Sequence, residues 1–157
     1  MLNLIHADTL TELSCEAKSS PRLRKNLNFH ASNASVCHRL LNAMEPGTYI
    51  QPHCHQDVEK DETIIALRGS FGILIFDRYG VVIEHFVMAA SGDNLGVTIP
   101  AGVFHSMVAL EVGSVFFESK AGPYAALTEP EKADWAPVEG EVECARYLAA
   151  MSERFMS

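Results

Sequence analysis

Two histidines one residue apart, His53 and His55, are the residues of this chain best suited to bind a metal ion. If their stretch is extended, side chains at positions i and i+2 point to the same side of the strand, so both imidazoles reach one cation while Cys54 points away. A carboxylate on a neighbouring strand is the natural third ligand. Two glutamates are candidates: Glu59 in the charged loop QDVEKD and Glu62 at the start of the strand-like run ETIIALRG. The strand position favours Glu62.

A fourth ligand is expected from elsewhere in the fold, and His105 is the candidate. It follows the Pro-Ala-Gly turn of IPAGVFHSMVAL and begins another strand-like run, where a side chain can enter the mouth of a barrel. A single histidine would favour an ordinary surface or core role, but this set favours a metal site. Imidazole and carboxylate ligands suit iron, manganese, nickel and zinc alike, so the sequence predicts one divalent transition metal without naming it.

The elements that must position these ligands are strand-like runs in the middle of the chain. Turn sequences such as EPG, RGS, DRYG and SGDNLG separate them, and no helical pattern lies between them. Short strands at this spacing predict an all-β jelly-roll barrel, or double-stranded β-helix. The predicted strands lie near residues 36–44, 48–53, 61–68, 71–77, 81–88, 97–100, 104–111 and 114–120.

A short helix is predicted before the barrel, over residues 8–20. Thr9 and Glu12 form a plausible capping box, and Pro21 stops the run. Residues 21–35 are polar and irregular and are interpreted as a segment that covers the barrel mouth like a lid.

A second helix is predicted after a proline-containing linker, from about Glu141 to Phe155, with one apolar face that packs on the barrel or on a second subunit. All parts belong to one domain, as the chain length suggests. The predicted divisions are 1–35 for the first helix and lid-like segment, 36–120 for the barrel, and 121–157 for the linker and C-terminal helix.

The bulk composition excludes several classes of protein. The 157 residues are 48% hydrophobic and 20% charged, which is enough to build one sizeable core. The net charge of −8 argues against a nucleic-acid partner. No apolar run approaches the roughly 18 residues of a membrane span, and the start MLNLIHADTLTELS lacks the pattern of a signal peptide, so we expect a cytoplasmic protein without a membrane partner. The four cysteines form no CxxC pair and are expected to be free thiols.

The two ligand-bearing stretches resemble the motifs of the cupin superfamily. The pattern G-x5-HCH-x6-E-x6-G, from Gly47 to Gly69, is similar to the first cupin motif, and PAGVFH is similar to the second. The gap of six residues between the second histidine and the glutamate is longer than usual, and Ala109 stands where the second motif often ends in asparagine. The resemblance implies four metal ligands, namely His53, His55, Glu62 and His105.

A narrower resemblance covers most of residues 20–125. The stretches SPRLRKNLNFH, RLLNAMEPGTYIQPHCH and GSVFFESKAGPY are similar to the WbuC family of cupin-fold metalloproteins. Members of that family are small bacterial metallocupins, some of them encoded with O-antigen or other surface-polysaccharide genes. The resemblance therefore implies a link to surface-polysaccharide metabolism, but it implies no particular reaction.

Polar residues outside the motifs are candidates for binding a ligand beside the metal. Gln51 has the same strand parity as the two histidines. Asn26, Asn28 and His30 alternate, so an extended lid-like segment would present all three on one face, although a solvated loop explains them equally well.

The last predicted strand carries Glu118 and Lys120 at the same parity. If they face inward, they can serve as acid and base near the metal or pair with each other; a surface ion pair is the competing interpretation. Arg22 and Arg24 can bind a phosphate or carboxylate, but solvation is the commoner state of such residues. His38 is assigned a structural or surface role.

Three kinds of function fit these residues. The first is a metal-dependent isomerase or epimerase that acts on a small, anionic, sugar-derived or carboxylate substrate, because a divalent ion polarises a carbonyl and eases removal of the adjacent proton. The second is an iron-dependent dioxygenase. The third is a sensor or binding module for a small ligand, and the fold alone does not choose among them. A homodimer is expected because edge strands tend to be covered.

Overall fold

A computed structural model describes residues 2–156 as two antiparallel sheets with one helix before them and one after them. The five-stranded sheet has the order β1-β2-β8-β3-β6 and the three-stranded sheet has the order β5-β4-β7. The elements are α1 (Ala7–Ser19), β1 (Arg24–Asn28), β2 (Cys37–Met44), β3 (Glu62–Arg68), β4 (Ser70–Phe76), β5 (Val82–Ala89), β6 (Gly96–Ile99), β7 (Phe104–Ala109), β8 (Ser114–Ala121), a 3₁₀ turn (Glu129–Glu131) and α2 (Cys144–Glu153). The predicted jelly roll with terminal helices is confirmed.

The space between the two sheets is apolar at one end and polar at the other. Phe71 on β4 and Phe116 on β8 pack edge to face in the apolar part, with ring centroids 5.2 Å apart, and Ile64 of β3 lies in the same cluster. Strand alternation carries the inward face of β8 from Phe116 to Glu118, and that of β3 from Ile64 to Glu62. Two strands therefore deliver carboxylates to one mouth of the barrel.

The outer faces of β2 and β8 in the five-stranded sheet are covered by α1. The helix places apolar side chains at helical spacing against β2 and β8, which explains why the outward residues of these strands are apolar too. This cluster consists of Leu10, Leu13, Ala17, Leu41, Ala43 and Val115. The helix therefore packs behind two strands whose inward faces contribute His38, Asn42, Glu118 and Lys120 to the cavity described below.

The outer face of the three-stranded sheet is covered by the C-terminal part of the chain. Met151 of α2 and Trp135 of the preceding segment pack against Leu74 and Val108. Phe155 lies so close to Gly72 that a Cβ there would approach its ring to 2.4 Å, so this position of β4 needs glycine. The predicted packing of the C-terminal helix on the barrel is confirmed for this chain.

Several predicted boundaries need correction. The Thr9–Glu12 capping box is wrong: α1 begins at Ala7, and the N-cap is His6, whose Nδ1 accepts a hydrogen bond from the Asp8 N–H at 3.2 Å. The C-terminal helix is shorter than predicted because the residues just before Cys144 form turns.

Two segments differ in kind from their prediction. Residues 24–28, which were expected to be irregular, form β1 and pair with β2 at the edge of the sheet. Residues 48–53, which were expected to be a strand, are irregular apart from an isolated bridge at His53. Among residues 2–156, no helix has the length and apolar character that a bilayer crossing requires.

Candidate metal centre

His53 and His105 are held together by the backbone. They form an isolated antiparallel bridge, in which each N–H donates to the other's carbonyl at 3.1 and 2.9 Å. Each imidazole also places Nδ1 beside a carbonyl two residues earlier: His53 at 3.0 Å from Gln51 O, and His105 at 2.8 Å from Val103 O. An Nδ1–H that donates to a carbonyl leaves the Nε2 lone pair free. Both rings are thereby oriented as metal ligands usually are.

Glu62, the first residue of β3, brings its carboxylate into the same cluster. Its Oε1 lies 2.8 Å from His55 Nε2, and its Oε2 lies 3.2 Å from His105 Nε2. One ligand atom each from His53, His55 and Glu62 lies within 4.8 Å of the others. Ligand bonds to transition metals are about 2.0–2.2 Å long, so small side-chain rotations would bring these atoms around one ion.

The protonation states of His53 and Glu62 suit a metal ion. Burial, with a smaller contribution from the neighbouring His105, lowers the pKa of His53 to about 3, so its imidazole is neutral at physiological pH. Burial alone would raise the pKa of the Glu62 carboxyl, but hydrogen bonds from His105 and His55 and the charge of Lys120 hold that pKa far below its usual range. Neutral imidazole and ionised carboxylate are the forms that coordinate metals.

The structure separates the two candidate glutamates. Glu62 is buried and points into the cluster. Glu59 is exposed in its loop, where its N–H donates to the Asp57 carboxylate at 3.1 Å. The chain therefore presents a possible metal site of histidine nitrogens and one carboxylate, and the donor set suits a divalent transition metal.

A cavity of about 500 Å³ extends from His53 and His55 towards β1 and β2. The predicted ligand-binding residues Asn28 and His30 both line it. They do so as part of a sheet edge and its continuation, and Asn28 accepts a hydrogen bond from the Asn26 amide at 2.8 Å. The segment expected to act as a lid is therefore a side wall of the cavity.

Glu118 and Lys120 line the cavity rather than the outer surface. Lys120 Nζ lies 2.9 Å from Glu62 Oε1 and 2.8 Å from Glu118 Oε1, and the Asn42 amide donates to the other Glu118 oxygen at 2.9 Å. Burial lowers the pKa of Lys120, but the two carboxylates outweigh burial and raise it above its usual value. Lys120 is therefore a fixed positive charge next to the candidate centre.

Three other predicted residues, Gln51, Arg22 and Arg24, already bind other groups of the chain. The Gln51 amide donates to Ala133 O at 3.1 Å, and Gln51 is not among the lining residues of the cavity. The parity argument failed because residues 48–53 are not a regular strand. Arg22 and Arg24 line the cavity rim, but both bind the Glu139 carboxylate, at 2.7 and 2.8 Å.

His38 is a cavity residue that sequence reasoning missed. It is buried on β2, lines the cavity, and stacks on His30 with ring centroids 4.0 Å apart. The available signal was the alternation of β2, which points His38 and Asn42 to one face and the exposed Arg39 to the other. Without a known facing strand, that alternation did not say which face was the inner one.

Comparison with known proteins extends these observations. A family model described as "Domain of unknown function (DUF6016)" matches residues 5–88, more than half of the chain. A search of curated proteins gave no match. The solved structure of KdgF from Halomonas sp. is 18% identical with a TM-score of 0.52, over 68% of this chain and 84% of that one.

Two further solved structures are similar. SPY1581, a protein of unknown function from Streptococcus pyogenes, is 17% identical with a TM-score of 0.51, over 80% of this chain and 96% of that one. Oxalate decarboxylase from Bacillus subtilis is 18% identical with a TM-score of 0.48, over 69% of this chain but only 26% of that one. At such identities the likeness shows the fold alone, and that fold is the cupin jelly roll.

Proposed function

Because the chain belongs to the family described as Domain of unknown function (DUF6016), we propose its function from the site itself: a metal-dependent cupin protein that binds a small anionic ligand. The observation that carries the proposal is the convergence of histidine nitrogens and a buried carboxylate at one mouth of the barrel. The proposed ligands of the ion are His53, His55, Glu62 and His105.

The charges around the proposed centre favour an anion. A divalent ion and Lys120, set against the carboxylates of Glu62 and Glu118, give a local charge of about +1 in a partly dry cavity, where charges are poorly screened. The chain as a whole carries −8, so this positive spot contrasts with the rest of the molecule. We therefore propose a carboxylate, phosphate-bearing or enolisable sugar compound, and the WbuC resemblance adds the proposal of a link to surface polysaccharides.

The reaction that these residues support best is isomerisation or epimerisation by proton transfer. A divalent ion in the centre would polarise a carbonyl or carboxylate oxygen of the ligand. Glu118 is the proposed base, because its carboxylate faces the cavity and is oriented by both Lys120 and Asn42. Lys120 is the proposed anion-binding group, because its raised pKa keeps it charged. Asn28 and His30 are proposed to contact the ligand further along the wall.

The first experiment is elemental analysis of the purified protein and of one matched pair of variants. His53→Ala should lose bound metal, and Glu59→Ala, a change in an exposed loop, should keep about one ion per chain. A wild-type protein that takes up no iron, manganese, nickel or zinc would contradict the proposal.

The second experiment separates the candidate reactions on metal-loaded protein. Metal-dependent exchange of a substrate proton for deuterium, followed by NMR on keto-sugars and keto-acids, is the expected result. Glu118→Gln should abolish the exchange and leave the metal content unchanged. Oxygen consumption with bound iron would instead indicate a dioxygenase, and ligand binding without exchange or oxygen consumption would indicate a sensor.

A further inference from the structure

One row of inward side chains crosses the polar end of the five-stranded sheet. In the strand register, His38 of β2 lies opposite Lys120 of β8, and Lys120 lies opposite Glu62 of β3. His30, two residues beyond the end of β1, extends the row by stacking on His38. The row therefore leads from a proposed metal ligand, past a fixed positive charge, to a pair of histidines.

The spacing of the row sets a length. Neighbouring strands lie about 4.8 Å apart, so the backbone of His38 is about 10 Å from that of Glu62, with Lys120 midway. A ligand that binds the ion with one end and lies along this wall would pass Lys120 and reach the histidine pair with its other end.

The two histidines of the pair differ in their hydrogen bonding. His30 Nδ1 lies 3.1 Å from both the N–H and the carbonyl oxygen of Arg39, which fixes its ring. His38 Nε2 is buried and has no hydrogen-bond partner among the described residues. Buried polar groups are nearly always paired, because an unpaired one loses its hydrogen bonds to water without replacement. Packing alone does not explain an imidazole at this position, since an apolar ring would stack equally well.

The surroundings of His38 hold its ring in place but, within residues 2–156, give its Nε2 no hydrogen-bond partner. The Gly122 backbone packs against it so closely that a Cβ there would lie 2.8 Å from His38 Nε2 and 1.8 Å from Ser35 O. On its other side the ring stacks on His30. A half-turn about the Cβ–Cγ bond exchanges ring nitrogens and carbons within the same outline, so a nitrogen can be presented to the cavity while the stacking is kept.

We propose that the His30–His38 pair is the distal anchor of the ligand, with His38 donating a hydrogen bond to an oxygen at the far end of an elongated anion. The ligand class is then a hydroxy or oxo acid that chelates the ion at one end and carries a second carboxylate or comparable oxygen group at the other. This inference rests on the proposed metal centre, which supplies the near end.

The test uses probes that share a chelating end and differ at the distal end. Protein loaded with Co²⁺ is titrated calorimetrically with 2-oxoglutarate, 2-oxoadipate and 2-oxovalerate, the last of which has a methyl group in place of the distal carboxylate. At least one of the two dicarboxylates should bind about tenfold more tightly than 2-oxovalerate, since a hydrogen bond to a charged group contributes about 1.5–3 kcal/mol. Equal affinities for all three would overturn the inference.

His38→Phe then tests the residue itself, because it keeps an aromatic ring of similar shape and removes both nitrogens. The advantage of the dicarboxylate should disappear, while the 2-oxovalerate affinity and the Co²⁺ content stay unchanged. Thermal stability should not fall, because no hydrogen bond to His38 Nε2 is lost. If His38→Phe does not fold, His38→Leu serves the same purpose, and Cys37→Ser, at an exposed neighbour, is the matched control. A dicarboxylate advantage that persists without the imidazole would overturn the inference.

The metal content distinguishes the two possible failures. Protein that binds Co²⁺ but does not prefer a dicarboxylate retains the proposed centre and loses only the distal anchor. Protein that binds no Co²⁺ contradicts the proposed centre, and the distal anchor falls with it because its ligand has no near end.

Discussion

The two ends of the cavity use histidine in opposite ways. At the proposed metal centre, His53 and His105 place Nδ1 against backbone carbonyls, so both rings are fixed before any ligand arrives. At the other end His30 is fixed by hydrogen bonding with the Arg39 backbone, whereas His38, within the described part of the chain, is held by packing alone and keeps an unpaired nitrogen. A ring fixed by hydrogen bonds suits a small ion with strict geometry, whereas a ring without a hydrogen-bond partner suits a larger ligand that supplies one.

The backbone supports this division. The centre is built on the bridge between His53 and His105 and on the first residue of β3, an inner strand of the five-stranded sheet. The distal end is built on β2, an inner strand that carries His38, and on the residues that follow the edge strand β1, which include His30. Because edge elements open locally at lower cost than inner ones, the wall beside His30 is the part of the cavity that opens most readily for a ligand.

Loss of a histidine ligand at the proposed metal centre, the fixed end of the cavity, should change the protein most. Removing the imidazole in His53→Ala or His105→Ala should lower metal affinity by at least about 100-fold, because loss of an outer hydrogen bond alone costs 10–100-fold. Competitive titration against a metal chelator, with Glu59→Ala as the control, measures the change. If Glu59→Ala empties the site and Glu62→Ala leaves it full, our assignment of the carboxylate ligand is wrong.

The second change acts on the distal end of the cavity, the adaptable end, and leaves the metal ligands in place. In Gly122→Ala the new methyl group meets the Ser35 carbonyl, a backbone atom that cannot rotate away, as well as the His38 ring. We expect a loss of about 3 kcal/mol in the free energy of unfolding, at the upper end of the usual cost of overpacking. Urea unfolding measures this loss. The control is Gly92→Ala at an exposed position, where the added Cβ would come no closer than 3.2 Å to another atom, Ala89 Cβ. Complete loss of metal in Gly122→Ala would show that the two ends are not independent.

A third change probes the residue that lies between the ends. The charge of Lys120 compensates the buried carboxylates of Glu62 and Glu118. Lys120→Met should therefore lower the free energy of unfolding of the metal-free protein by about 2 kcal/mol. This loss is smaller than the cost of breaking a fully buried ion pair, because part of Lys120 is exposed. The loss should be smaller with metal bound, since the ion then compensates Glu62. Urea unfolding with and without metal measures both values. Equal losses in the two forms would contradict a metal ion at Glu62, and Lys25→Met, which removes an exposed ion pair to Glu16, is the control.

The fixed end of the cavity was predictable from the sequence because its signals are local. The close spacing of His53 and His55 and the turn before His105 lie within short stretches of the sequence, so they can be recognised without knowledge of the strand pairing. The structure places Glu62, the first residue of β3, in this cluster and leaves Glu59 in an exposed loop.

The adaptable end was not predictable because its geometry depends on strand pairing. His38 becomes a cavity residue only when β2 pairs with β8 and sets it opposite Lys120, a contact across more than half the chain. Likewise, the polar residues 24–28 have little strand propensity of their own and become β1 by pairing with β2. The prediction that Gln51 faces the cavity is wrong for the opposite reason. It assumed the alternation of a strand in a segment that is not one, and the Gln51 amide donates to the Ala133 carbonyl in a loop.

The weakest effect is expected at the cavity rim, where Arg22 and Arg24 bind the Glu139 carboxylate. Like the metal centre, this cluster is held by contacts among its own members, but it is partly exposed. It therefore tests whether such contacts stabilise the protein without burial. The hydrogen bond from Arg22, opposed by partial burial and helped by Arg24, lowers the pKa of Glu139 to about 2. Its folded-state pKa is thus below the ordinary value of 4.5, so the stabilisation is complete above that value and is lost as the pH falls towards 2.

Because 36% of the Glu139 side chain is exposed, solvent screening limits the effect to below about 1 kcal/mol. Urea unfolding of metal-free protein between pH 5.5 and 3 should therefore show a shallower loss of stability in Glu139→Gln than in the wild type, whereas Glu129→Gln, which removes an exposed pair with Lys132, should match the wild type. Parallel pH profiles for the wild type and Glu139→Gln would show that the rim contributes no acid-sensitive stability and that fixed geometry matters in this cavity only where it is buried.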